Sequence, residues 1–284
     1  MLHKLRLRLG NAVRGFLLGP SSRHLAALHD LLLRLEYRQL VETLPNPFVR
    51  YGFKVFSQTD EDGLTLEIAK RLGVEKGVFV EFGVGDGSEN NTLVLLACGW
   101  TGVWVGGEDL RVAPPQQSAR LAFRKTWVTR DNIVATAESG LRQIGKDHVD
   151  VCSLDLDGND LYFAEELLQS GFTPSLFIVE YNGKFPPPIR WAIDYDPAHR
   201  YEGADYFGAS LATFNDLFAR HGYFLVCCNA HSGANAFFVR REFRGQFSEV
   251  PEDIAPSYCS PRYYLPAAYG YPASDKTLRQ LIRG

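Results

Sequence analysis

Two apolar runs near the end of the chain, residues 223–228 and 235–239, are separated by only six residues. Both are rich in aromatic or β-branched side chains, as buried strands are. Six residues are too few for a helical crossover, which takes about a dozen or more, so these strands must pair antiparallel. Upstream the pattern alternates. Apolar periodicity predicts strands over 78–82, 102–105, 123–128, 149–156 and 176–181, and helices over 58–72, 91–97, 134–144, 161–169 and 211–221. Such alternation argues for a mainly parallel sheet covered by helices. The expected fold is α/β and Rossmann-like: a seven-stranded, mainly parallel sheet ending in an antiparallel C-terminal hairpin.

The first 48 residues differ from the rest. Lys4, Arg6, Arg8, Arg14, Arg23, Arg34 and Arg38 outnumber Asp30, Glu36 and Glu42. Leu25, Leu28, Leu31, Leu32 and Leu35 recur at helical spacing, and Leu44-Pro45-Asn46-Pro47 ends the pattern. An N-terminal helical extension is expected. It would pack on the main domain or on a second subunit of a homo-oligomer, and its basic face also suits membrane headgroups or a partner. A main domain over 49–245 and a C-terminal tail over 246–284 complete the expected division. A net charge of -3 gives no overall basic field for nucleic acid. No run reaches the ~18 to 20 apolar residues of a membrane span, and the apolar stretch at 15–19 is too short for a signal-peptide core. The 5 cysteines show neither CxxC nor Cys/His zinc spacing. Reduced thiols, most of them buried, in a cytoplasmic protein are the expectation.

The loop Glu81-Phe82-Gly83-Val84-Gly85-Asp86-Gly87 follows the first buried strand and precedes a helix. Its glycines allow a tight turn and let the backbone approach a ligand. A dinucleotide fingerprint would read G-x-G-x-x-G, but Ser88 follows Gly87. Glu81 and Asp86 would repel a pyrophosphate and attract the sulfonium and ammonium groups of S-adenosylmethionine. Glu81, Gly83, Gly85, Asp86, Gly87 and Asn91 are therefore candidate cofactor contacts. An acid that binds ribose hydroxyls belongs near the tip of the next strand. Glu108, with Asp109 beside it, lies about 20 residues beyond the loop, the usual interval. Asp131 and Asn132 face the expected adenine edge, or cap the following helix.

Ser57-Gln58-Thr59-Asp60-Glu61-Asp62-Gly63, the glycine loop, Gly99-Trp100-Thr101-Gly102 and Leu154-Asp155-Leu156-Asp157-Gly158-Asn159-Asp160 occur in this order. Together they resemble the FkbM-type branch of the class I methyltransferases, over roughly residues 50–240. Gly106 stands where that family usually places Glu, and Asp-Leu-Asp-Gly replaces its Asp-Val-Glu-Gly. The resemblance implies O-methylation from S-adenosylmethionine, often of sugars or polyketide-type products. A non-catalytic scaffold in a glycan or secretion pathway is the competing function.

Ligands bind outside the carboxyl ends of strands in open α/β sheets. Asp155, Asp157, Asn159 and Asp160 follow one strand; Glu180, Tyr181 and Asn182 follow the next. Asp155, Glu180 and Asn182 are hard oxygen ligands that suit Mg²⁺ or another divalent cation. Asp155 is also a candidate cofactor contact and catalytic group. His231, in the loop of the final hairpin, is a candidate general base. Residues 183–210 form an expected cover over the acceptor. Trp191, Tyr195 and Tyr206 in it, with Asp157, Asn159 and Tyr181, are candidate contacts to a sugar or other polar small molecule.

Overall fold

A computed structural model describes residues 24–25, 27–116, 118–262 and 275–283. The chain divides into two compact units, at Thr43 and Leu44. The basic residues Lys4, Arg6, Arg8, Arg14 and Arg23 lie outside the described residues. In the first unit, residues 27–43 form helix α1, with Arg34 paired to Asp30 at 2.9 Å. The sequence pattern marks its leucine stripe as a packing face, yet Leu25, Leu28, Leu31, Leu32 and Leu35 are exposed.

The second unit holds β1 (Val78–Phe82), β2 (Thr101–Gly106), β3 (Leu121–Lys125), β4 (Val151–Leu154), β5 (Leu176–Glu180), β6 (Tyr223–Cys228) and β7 (Asn235–Arg240). The helices are α2 (Glu61–Arg71), α3 (Leu93–Ala97), α4 (Ile133–Gln143), α5 (Asp160–Gln169), α6 (Leu211–Arg220) and α7 (Asp275–Arg283). The strands form one seven-stranded sheet in the order β3-β2-β1-β4-β5-β7-β6. β1 to β5 pair in parallel, and β7 runs antiparallel between β5 and β6. The six-residue loop therefore makes the antiparallel pair that its length requires. β3 begins at Leu121, where the apolar pattern suggested 123, because Leu121 and Ala122 are buried beside Gly102 and Val103. Residues 126–132 then turn instead of extending the strand.

Burial follows the sequence pattern. Every residue of β1 and β4 is buried, as expected for central strands covered on both faces, and β6, at the sheet edge, is buried throughout as well. The segment after β7 does not run free. Phe247, Val250, Leu278 and Ile282 are buried in the main hydrophobic cluster with Phe48, Phe79 and Phe237. Asn46, in the motif expected to end the extension, is buried in the second unit. Its side chain donates to the carbonyl of Val226 and the hydroxyl of Ser257, both at 2.7 Å, and accepts from Phe48 N at 3.0 Å. No helix among the described residues is long and apolar enough to cross a membrane.

One glycine sets the helix-to-sheet distance. A Cβ on Gly140 of α4 would run into the side chain of Val103 on β2. In an exposed helix, Gly→Ala stabilises by about 1 kcal/mol. Here Gly140→Ala should instead destabilise, by about 1–3 kcal/mol for overpacking. Urea unfolding reads the sign directly, and a more stable variant would show that α4 does not lie this close to β2.

Candidate active site

The carboxyl ends of β1, β4 and β5 deliver their loops to one edge of the sheet, as the parallel pairing dictates. The turn after β1 needs its glycines for different reasons. Gly83 has φ of +90°, and a Cβ there would overlap the carbonyl oxygen of Asp155. Its N–H donates to Val105 O at 2.9 Å, which ties the loop to β2. Gly85 has φ of +50° and nothing near its Cβ position. Gly87, with φ of +81°, closes the turn by donating to Val84 O at 2.8 Å. Gly83 is thus a packing glycine, and Gly85 is the one that leaves space open.

That space is a cleft of about 170 Å³, continuous with solvent. It is lined by Glu81, Gly83, Gly85, Asp86, Asn91 and Asp155, six of the residues proposed from the sequence. Gln58, Glu61, Ser88, Glu89, Asn90 and Asn235 also line it and were not singled out as contacts. Gln58 and Glu61 sit in the Ser-Gln…Glu-Asp motif, which was the available signal. Asn235 begins β7, and only the sheet order brings it here. Five lining residues are carboxylates, and none is Lys, Arg or His.

Glu81 is 3% exposed, and its oxygens accept from the N–H groups of Asn91 at 2.9 Å and Thr92 at 3.0 Å and from the Thr92 hydroxyl. Burial raises its pKa, and these bonds oppose the rise. Glu81 therefore fixes the entry into α3 as well as lining the cleft. Asn91 donates from its side chain to Ser153 Oγ at 3.1 Å. Asp86 accepts from Ser88 N at 3.0 Å and holds the outer rim.

A second set of acids anchors the cleft from the other side. Asp62 accepts from the backbone N–H groups of Val55, Phe56 and Ser57 at 2.6, 2.6 and 2.9 Å. Asp60 accepts from Ala230 N and His231 N, and Glu61 from Thr59 N and the amide of Asn229. The start of α2 and the β6–β7 loop are thus one hydrogen-bonded block.

Beyond β4, Asp160 begins α5 and accepts from Leu156 N at 2.8 Å and Gly158 N at 3.0 Å. Burial pushes its carboxyl up to about 6, against these bonds. Asp155, Asp157 and Glu180 lie together, with a carboxylate oxygen of each within 4.8 Å of the others. Burial, then the charges of Asp157, Asp160, Glu81 and Glu61, hold the Asp155 pKa well above the usual range. Burial and then Asp155 do the same to Glu180. Burial also raises Asp157, while His199 beside it lowers it.

Several candidates from the sequence stand elsewhere. β2 runs to Gly106, so its tip carries no acid; Glu108 and Asp109 are exposed beyond it, and Asp109 pairs with Lys125 at 2.6 Å. Neither lines the cleft. Asp131 is exposed, and Asn132 closes its own turn, accepting from Thr129 N at 2.9 Å and donating to Trp127 O at 2.9 Å. Asn182 is buried and engaged. Its amide donates to Asp205 O and Phe207 O at 2.8 and 2.9 Å, and its Oδ1 accepts from Lys184 N at 3.1 Å. It braces the 183–210 segment, and Asp157 takes its place in the acidic group. Tyr181 is a core residue at 0% exposure, donating to Cys259 O at 2.7 Å. His231 is 4% exposed in the β6–β7 loop and does not line the cleft.

The 183–210 segment lies over this edge. Asn159 does not face outward to a ligand: its side chain donates to Asp196 O at 2.8 Å and accepts from Asp196 N at 3.3 Å. Gly208 N donates to Gly158 O at 2.9 Å, and the ring of His199 packs against Gly158, leaving no room for a Cβ there. Tyr195 is an anchor: its hydroxyl accepts from Arg130 N at 3.1 Å. Phe185, Trp191, Tyr206 and His199 form a row, with successive ring centroids 4.3, 6.0 and 6.2 Å apart.

The raised carboxyls link protonation to stability. Between the unfolded value near ~4 and the raised folded values, the native chain binds more protons than the unfolded one, so stability falls as pH rises. In EDTA, the melting temperature should be higher at pH 5.5 than at pH 7.5, and Asp155→Asn should flatten the difference. A wild type more stable at pH 7.5, or a variant with the same slope, would contradict this electrostatic picture. Comparison with known proteins adds no assignment: no family model matches the chain, and no curated protein matches it.

Proposed function

We propose that the protein is an S-adenosylmethionine-dependent methyltransferase acting on a hydroxyl of a sugar or other polar small molecule. The observation that carries this reading is the charge of the cleft. Glu61, Glu81, Asp86, Glu89 and Asp155 surround a glycine turn with no basic residue on the wall. A phosphate-bearing cofactor would be repelled there, and a sulfonium with an ammonium group would be attracted. The strand order, with β7 antiparallel between β5 and β6, supports it, because class I methyltransferases share this layout.

When bound, S-adenosylmethionine supplies an electrophilic methyl group on sulfur. The chain's own residues do the rest. Gly85 leaves the turn open toward the ligand, while Gly83 and Asp155 fix the distance between the β1 and β4 loops. Asp155, on the cleft wall, acts on the acceptor hydroxyl, either directly as proton acceptor or through a bound cation. The acceptor oxygen gains the methyl as the sulfur–carbon bond breaks. The aromatic row of the cover suits the faces of a sugar and keeps water from the acceptor.

Isothermal titration of the full chain with S-adenosylmethionine tests the reading. The wild type should bind one ligand per chain with micromolar affinity. Gly85→Asn should weaken binding about tenfold or more, because Asn tolerates a left-handed backbone and fills the open space without unfolding the chain. A folded wild type that does not bind, or a variant with unchanged affinity, would remove the cofactor from this cleft.

A further inference from the structure

The acids around this edge of the sheet fall into two groups. Asp60, Glu61, Asp62, Glu81 and Asp160 each accept hydrogen bonds from backbone N–H groups or side-chain donors. Burial of a carboxylate is tolerable when donors meet it in this way. The carboxylates of Asp155, Asp157 and Glu180 receive no hydrogen bond from any described residue, and Glu180 Oε2 is fully enclosed without a partner. His199, on the cover beside Asp157, also has a buried and unpartnered Nε2. Asp155 and Glu180, which repel each other with no donor to either, are costly unless something cationic joins them.

We infer that Asp155, Asp157 and Glu180 hold a divalent cation. Two oxygens bound to one ion at about 2.1–2.6 Å each lie no more than about 5 Å apart. The three oxygens meet that limit, lying within 4.8 Å of one another. An all-carboxylate set suits Mg²⁺, Mn²⁺ or Ca²⁺ over softer ions. Asp157 is exposed, so the group of acids can be reached from solvent. The His199 ring packs on the adjoining Gly158. The ion's part in catalysis rests on the methyl-transfer reading: it would bind the acceptor hydroxyl and lower its pKa, with Asp155 acting as ligand. Its binding does not depend on that reading.

Calorimetric titration of EDTA-treated, dialysed full chain with MnCl₂ at pH 7.5 tests the site. One Mn²⁺ per chain is expected, displaced by Mg²⁺ or Ca²⁺ and accompanied by a rise in melting temperature. Asp157→Asn and Glu180→Gln should each weaken binding tenfold or more, while Asp109→Asn, at an exposed acid paired with Lys125, should bind as wild type. In EDTA the two site variants should melt at or above the wild-type temperature, because each removes a repelling charge. A fall in both variants would mark these acids as structural and overturn the proposal, as would absent Mn²⁺ binding or binding indifferent to both substitutions. S-adenosylmethionine titrated into the same samples separates the two claims. Cofactor binding without Mn²⁺ binding sinks the cation site alone; Mn²⁺ binding without cofactor binding sinks the methyltransferase reading alone.

Discussion

Gly83 presses its α-carbon against the backbone carbonyl of Asp155, and a single added methyl group would overlap that oxygen. The contact joins the turn after β1 to the turn after β4 at the carboxyl edge of the sheet. It fixes the spacing between the glycine loop, where a ligand has room above Gly85, and Asp155, the acid that looks into that room. From Asp155 the arrangement extends outward: to Glu180 through the β4–β5 pairing, to Asp157 through the turn that Asp160 holds, and to the 183–210 cover through Asn159 and Gly158. A looser fit at Gly83 would let these loops drift, and the acids could no longer share one small volume.

The acids set both the packing and the electrostatics of this edge. Asp62, with three backbone N–H groups on one oxygen, and Glu81, with Asn91 and Thr92, act as fasteners. Their hydrogen bonds offset the cost of burial. Asp155 and Glu180 have no such compensation, and burial together with mutual repulsion raises their pKa values. Groups held in this state are stability spent on a site, the pattern expected where a protein prepares to meet a ligand.

Much of the fold could be read from the chain because it depends on local signals. Apolar strands alternate with helices, and six residues between the last two strands admit one pairing. The glycine turn was equally visible, but its division of labour was not. Gly83 and Gly85 look alike in sequence, and only the packing of Asp155 tells them apart. Asn182 read as a ligand because it shares a strand end with Glu180. The structure turns its amide to the carbonyls of Asp205 and Phe207, partners more than twenty residues away that no spacing rule reveals. Tyr181 was misread for the same reason: its hydroxyl meets Cys259. Gln58, Glu61 and Asn235 come from opposite ends of the domain, so their convergence on one cleft is a property of the sheet order.

The central claim is that this cleft selects a cationic ligand over a phosphate-bearing one. Parallel calorimetric titrations of the wild type with S-adenosylmethionine and with NAD⁺, repeated at low and high salt, test it most directly. The account predicts saturable binding of S-adenosylmethionine that weakens with salt, and no binding of NAD⁺. Binding of NAD⁺ in place of S-adenosylmethionine would contradict it.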